Sequence, residues 1–107
     1  MSKPVLVTGT AGKLGRYVFQ HLASRGYPVR AVDRYWSGTH AGAETVVADL
    51  EQREVCYELL RDVEAVVHLG NVSNVRVGDA QSVFAINTRI NANLFMAAQH
   101  LGVKKII

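Results

Sequence analysis

An α/β fold with a doubly wound parallel sheet is predicted by three observations. Short β-branched runs alternate with helical stretches along the whole chain. Three glycines, Gly9, Gly12 and Gly15, recur every third residue where the first apolar run breaks. Two later apolar runs end in an acid, Asp33 and Asp49. Right-handed crossovers between the strands then give the order 3-2-1-4-5.

The elements follow in order. "PVLVT", residues 4–8, reads as a buried strand. After the glycines, Leu14, Val18 and Leu22 recur at helical i, i+4 spacing, with Tyr17 and His21 on a neighbouring line and Gly26 as the stop. "YPVRAVD" is the second strand, "RYWSGTHAGA" a turn-rich loop and "ETVVAD" the third strand. "LEQREVCYELLRD" places Val55, Leu59 and Leu60 on one helical face, and "VEAVVHLG" is the fourth strand. An irregular loop, "NVSNVRVGDAQ", leads to a long helix from about Ser82 to Leu101. Its expected inner line is Val83, Ile86, Ile90, Leu94, Ala97 or Ala98, and Leu101. Gly102 closes it, and "VKKII" begins a fifth strand.

With 107 residues, 49% hydrophobic and 20% charged, the chain suits one globular domain with one core, spanning 1–107. The net charge of +3 is spread thinly, densest at Lys104-Lys105 and at Arg30 and Arg34. No basic stripe interleaved with aromatics points to nucleic acid, whereas a mild positive excess suits an anionic ligand. The single cysteine, Cys56, excludes an internal disulfide and reads as a small core residue in a reducing compartment. The first apolar run is too short for a signal-peptide core, and no run approaches a membrane span. A cytoplasmic protein is expected.

The glycines sit at a strand-to-helix turn, where backbone N–H groups and the helix dipole favour a phosphate. Gly9 would permit the tight turn, Gly12 the approach of a pyrophosphate, and Gly15 close packing of helix on strand. Thr8 is placed to hold the loop by hydrogen bonding. Asp33 ends the second strand at about the spacing, roughly 20 residues past the loop, of a ribose-binding acid. A solvated strand-end acid is the alternative. Asp49 falls near the expected adenine.

At these residues the sequence resembles the short-chain dehydrogenase/reductase superfamily, and within it the NAD-dependent epimerase/dehydratase family. "TGTAGKLG" is similar to its T-G-x-x-G-x-x-G loop, and "VVADL" to its adenine-contacting acidic stretch. "AVVHLGN" resembles the fourth-strand H-L-A-A motif, with Gly70 and Asn71 departing at the last two places. "INTRINANLFMAAQHLGVKKII" resembles the long helix and next strand, with Asn87 at the family's helix asparagine. The "VHLGN" version is similar to that of uronate dehydrogenases. The resemblance implies the N-terminal portion of a Rossmann-type sheet and a dinucleotide site of Gly9, Thr10, Ala11, Gly12, Lys13, Leu14, Gly15, Asp33, Arg34, Asp49, Leu50, Leu69, Gly70, Asn71 and Asn87. Asn87 is also read as a tie between the long helix and strand four. Asp33 would repel a 2′-phosphate and favours NAD, while Arg34 beside it could instead clamp that of NADP.

The resemblance further implies hydride transfer on a nucleotide sugar or related carbohydrate, with a Tyr-x-x-x-Lys pair and a serine or threonine. No such pair occurs: Tyr17, Tyr27, Tyr35 and Tyr57 are followed at that spacing by His21, Ala31, Thr39 and Arg61. In the family those groups lie beyond strand five, where this sequence stops. The expectation is therefore the cofactor part of a longer enzyme, with a non-catalytic dinucleotide-binding regulator or a simple mononucleotide binder as alternatives. No histidine spacing supports a metal site. His68, at a strand end, reads as a core or near-ligand residue, and Ser73 as a candidate neighbour of the nicotinamide ribose. Tyr35 and Trp36 would border the adenine or belong to an exposed loop or subunit contact. The long helix over 82–101 would be a homodimer face or a packed core helix.

Overall fold

The computed structural model describes residues 3–72 and 78–107. Strand β1, Val5–Thr8, runs at the centre of a parallel sheet between β2, Val29–Asp33, and β4, Ala65–His68. The outer neighbour of β2 is β3, Ala43–Val47, which gives the order β3-β2-β1-β4. Val5 stands opposite Val29 on one side and Ala65 on the other, so the strands start level and their carboxyl ends form one rim.

Alternation along the strands feeds two cores. Val7, Val29 and Ala31 pack on one face with Phe19 and Ala23 of helix α1, Lys13–Ser24. Leu6, Val32 and Val66 pack on the other with α2, Arg53–Leu59, and α3, Ala80–Leu101. Both faces of β1 are dry, which explains its uninterrupted apolar run. Arg30, pointing to the α2 side, gives its guanidinium to the carbonyls of Leu59 and Arg61 (2.7 and 3.1 Å) and so caps the C-terminus of α2.

Several expected boundaries shift. The inner line of α1 is Gly15, Phe19 and Ala23, with Val18 and Leu22 flanking, and Leu14 is 61% exposed. Close approach of the helix at Gly15 sets this rotation. The second helix is shorter than its predicted range, because Asp49 and Gln52 form its entry turn. Helix α3 begins at Ala80, earlier than expected, because Asp79 caps it by accepting the Ser82 amide. It buries Ile90, Leu94, Ala97 and Ala98, whereas Leu101, in its last turn, is exposed. Gly102 terminates α3 in the left-handed region, as its position predicts.

Where the fifth strand is expected, the chain makes a single parallel bridge, Val66 to Ile106, beside the four-stranded sheet. Lys105 and Ile107 exchange backbone hydrogen bonds with Val66 and His68 at 2.8–2.9 Å. These bonds use the edge of β4 that faces away from β1, the position the predicted order assigns. No helix among the described residues is long and apolar enough to cross a membrane.

Candidate functional site

The carboxyl rim of the sheet opens into a cleft of about 340 Å³. One wall is the turn after β1, with Gly9, Ala11 and Gly12, and the opposite wall is the segment after β4, Leu69 to Val72. Asp33, Arg34 and Tyr35 close the side beyond β2, while Ala48 and Leu50 contribute from beyond β3. Ile90 of α3 reaches the floor.

Each glycine of the turn answers a different steric demand. Gly9 has φ +77°, and a Cβ there would stand 2.5 Å from the Leu69 carbonyl oxygen. At Gly15 a Cβ would stand 2.0 Å from the Gly9 oxygen, so backbone packs directly on backbone. Gly12 faces open space apart from the Gly9 oxygen at 3.3 Å, and it lines the cleft. It is also the N-cap of α1, with no side-chain cap and no acid in the first turn. The N–H groups of that turn have no intrahelical acceptor, an arrangement that favours negative charge.

The turn is anchored from two directions. Asp33 Oδ2 accepts the Ala11 amide at 2.8 Å, and its Oδ1 accepts the Arg34 amide at 2.6 Å. Thr10 and Ser37 share a buried hydroxyl–hydroxyl hydrogen bond of 2.6 Å, which ties the glycine turn to the loop after β2. Thr8 Oγ1 accepts the amides of Leu69 and Gly70, each at 2.9 Å, which joins the two walls. A Cβ at Gly70 would stand 2.9 Å from that same oxygen, so a glycine suits this place in the fourth-strand motif.

The structure separates the expected site residues into two groups. Gly9, Ala11, Gly12, Asp33, Arg34, Leu50, Leu69, Gly70 and Asn71 line the cleft. Gly15 and Thr10 are buried behind it, and Lys13 and Leu14 lie exposed at the start of α1. Asp49 does not line it: its carboxylate accepts the Glu51 amide at 2.9 Å, and its neighbours Ala48 and Leu50 face the cleft instead. Asn87 also stays outside, because its carboxamide pairs in both directions with the Val72 backbone, at 2.8 and 3.1 Å. Its reading as a tie is thus the one its geometry fits, with the tie made to the segment after β4. Tyr35 lines the cleft, whereas Trp36 is exposed outside it. Ser73 lies outside the described residues.

Sequence reasoning missed Val32, Ala48, Val72 and Ile90 as lining residues, and Ser37, Asn91 and Asn93 as supports. Asn93 donates to the carbonyls of Leu50 and Glu51 at 3.0 and 2.9 Å. Asn87 and Asn91, one helical turn apart on α3, were the legible signal. Cys56 is fully buried, and burial, with Asp49 nearby, pushes its thiol up to about 11. That is a core thiol, not a nucleophile. Among the described residues no group of three or more His, Cys, Asp or Glu side chains is placed to hold a metal ion.

The sequence pattern described as the NAD dependent epimerase/dehydratase family matches residues 5–107. The chain is 32% identical over 106 residues to sterol demethylase protein B of Methylococcus capsulatus, covering 95% of this chain and 32% of that protein. A short-chain dehydrogenase/reductase superfamily protein from Agrobacterium tumefaciens, solved with bound NAD, superposes with a TM-score of 0.83 at 36% identity. That match covers 95% of this chain and 30% of the other. A mutated uronate dehydrogenase superposes with a TM-score of 0.85 at 32% identity, covering 99% of this chain and 38% of the other. The chain thus spans about a third of the length of these relatives.

Proposed function

Because the chain belongs to the NAD-dependent epimerase/dehydratase family, we propose that its cleft binds NAD as the cofactor-binding part of an enzyme acting on a nucleotide sugar or related carbohydrate. One observation carries this reading: an uncapped helix N-terminus opens on the cleft beside a glycine with room for a close ligand, with a carboxylate at the next strand end. The pyrophosphate would lie on the amides at the start of α1, with Gly12 admitting it. Asp33 would accept from the adenosine ribose, since a carboxylate oxygen that already accepts one amide keeps further lone pairs. Leu50 and Ala48 offer an apolar flank for the adenine, and Leu69 to Val72 border the nicotinamide end. NAD, when bound, supplies the hydride acceptor.

The negative Asp33 disfavours a 2′-phosphate, although exposed Arg34 gives NADP a weaker route. The carbohydrate class rests on the likeness to the uronate dehydrogenase, and the sterol-named relative makes a sterol alcohol the competing substrate. Titration calorimetry of the purified protein with NAD tests the cofactor reading. One-to-one binding that Gly12→Val abolishes is expected, and normal binding by Gly12→Val would overturn the cradle. NAD reduction by the longer enzyme of which this chain would be the cofactor part, assayed against uronic acids, nucleotide sugars and sterol alcohols, then tests the substrate class. Turnover confined to sterols would overturn the carbohydrate reading, and binding without any turnover would favour the regulator.

A further inference from the structure

Thr8, His68 and Asn91 form a hydrogen-bonded chain that crosses from β1 through β4 to α3. His68 Nδ1 lies 2.7 Å from Thr8 Oγ1, and its Nε2 lies 2.8 Å from Asn91 Oδ1. A hydroxyl oxygen has two acceptor positions and one hydrogen. Both acceptor positions of Thr8 are taken by the Leu69 and Gly70 amides. Its hydrogen must therefore go to His68, which makes Nδ1 the acceptor and places the imidazole hydrogen on Nε2. That hydrogen then meets the Asn91 carbonyl oxygen. The neutral Nε2–H tautomer is the one that suits all four of these contacts.

We propose that His68, as the neutral Nε2–H tautomer, is a positioning residue for the cofactor cleft, fixing the Thr8 hydroxyl so that it holds Leu69 and Gly70 against the glycine turn. The inference rests on the cofactor reading above. Protonation would put a second hydrogen on Nδ1, facing an oxygen whose acceptor positions are full, so one of the three contacts at Thr8 must break. The ring is faced by the Thr8 hydroxyl from β1, by Asn71 after β4, and by Asn91 and the edge-on Phe95 ring of α3. None of these titrates, and no charged group among the described residues contributes to the shift. Burial lowers the imidazole pKa and outweighs the opposing carboxamide hydrogen bonds. The neutral relay is therefore intact at neutral pH, and binding weakens only on the acid side of the ordinary imidazole value of 6.5.

Nitrogen NMR of the imidazole in the ligand-free protein tests the tautomer directly. A protonated Nε2 with an unprotonated Nδ1 at neutral pH is expected, and the opposite tautomer would overturn the proposal. NAD titrations from acid to neutral pH test the positioning role. His68→Asn, whose carboxamide can still accept from Thr8, should bind within about threefold of the parent and lose the acid-side fall in affinity. His68→Leu, which cannot accept, should bind about tenfold more weakly. Equal affinities for both variants, or an acid-side fall that persists in His68→Asn, would overturn the proposal. A parent protein that binds no NAD at any pH would instead remove the cofactor reading, and the NMR result would still decide the tautomer.

Discussion

Asp33, the last residue of β2, accepts the amide of Ala11 at 2.8 Å and so fastens the glycine turn of β1 to the neighbouring strand. The same carboxylate that would select the ribose therefore shapes the pyrophosphate loop. Asp33→Asn keeps an acceptor but removes the charge. It should weaken NAD binding about tenfold, because charge-assisted hydrogen bonds are roughly twice as strong as neutral ones. NADP should not weaken in parallel, because its 2′-phosphate no longer meets a carboxylate and Arg34 stays in place. Competitive titration with the two dinucleotides checks this, and an unchanged preference would show that Asp33 only shapes the loop.

Gly12 and Gly15 should separate binding from stability. Gly15→Ala drives a Cβ to 2.0 Å from the Gly9 oxygen, backbone against backbone, and should cost about 3 kcal/mol of stability. Gly12→Ala meets the same oxygen at 3.3 Å and should change stability by less than about 1 kcal/mol while weakening NAD binding. Thermal denaturation and ligand titration of the pair give the comparison.

Arg30 and Glu44 form an ion pair of 2.9 Å, yet their contributions should differ. Glu44 is largely exposed, and Glu44→Gln should alter stability by no more than about 0.5 kcal/mol. Arg30 also closes the carbonyl end of α2, so Arg30→Met leaves those acceptors without a partner and should cost about 2 kcal/mol. Chemical denaturation midpoints report both.

Cys56 should resist alkylation by iodoacetamide at mildly alkaline pH until the protein unfolds, since its thiol is fully buried and pushed up to about 11. A raised pKa means the folded state holds the proton more tightly. Its contribution to stability is complete below the ordinary value of 9.0 and is lost as pH rises towards about 11. Cys56→Ser or Cys56→Ala should flatten that alkaline limb of the stability profile, measured by denaturation from neutral to alkaline pH.

Local chemistry made much of this protein legible as sequence. The β-branched runs, the glycine turn, the acid at the end of β2 and the glycine closing α3 are decided by period, backbone freedom and hydrogen bonding within a few residues. They sufficed for the α/β class, the strand order and the location of the cleft. The rotation of α1 was not legible, because Leu14 and Phe19 are both apolar and only the near contact of Gly15 with Gly9 decides which faces the sheet. Asp49 and Asn87 sit beside the cleft in sequence, but hydrogen bonds to Glu51 and Val72 draw their side chains away from it. The Thr8–His68–Asn91 chain joins residues dozens of positions apart, and its single tautomer follows from counting lone pairs that only the folded arrangement brings together.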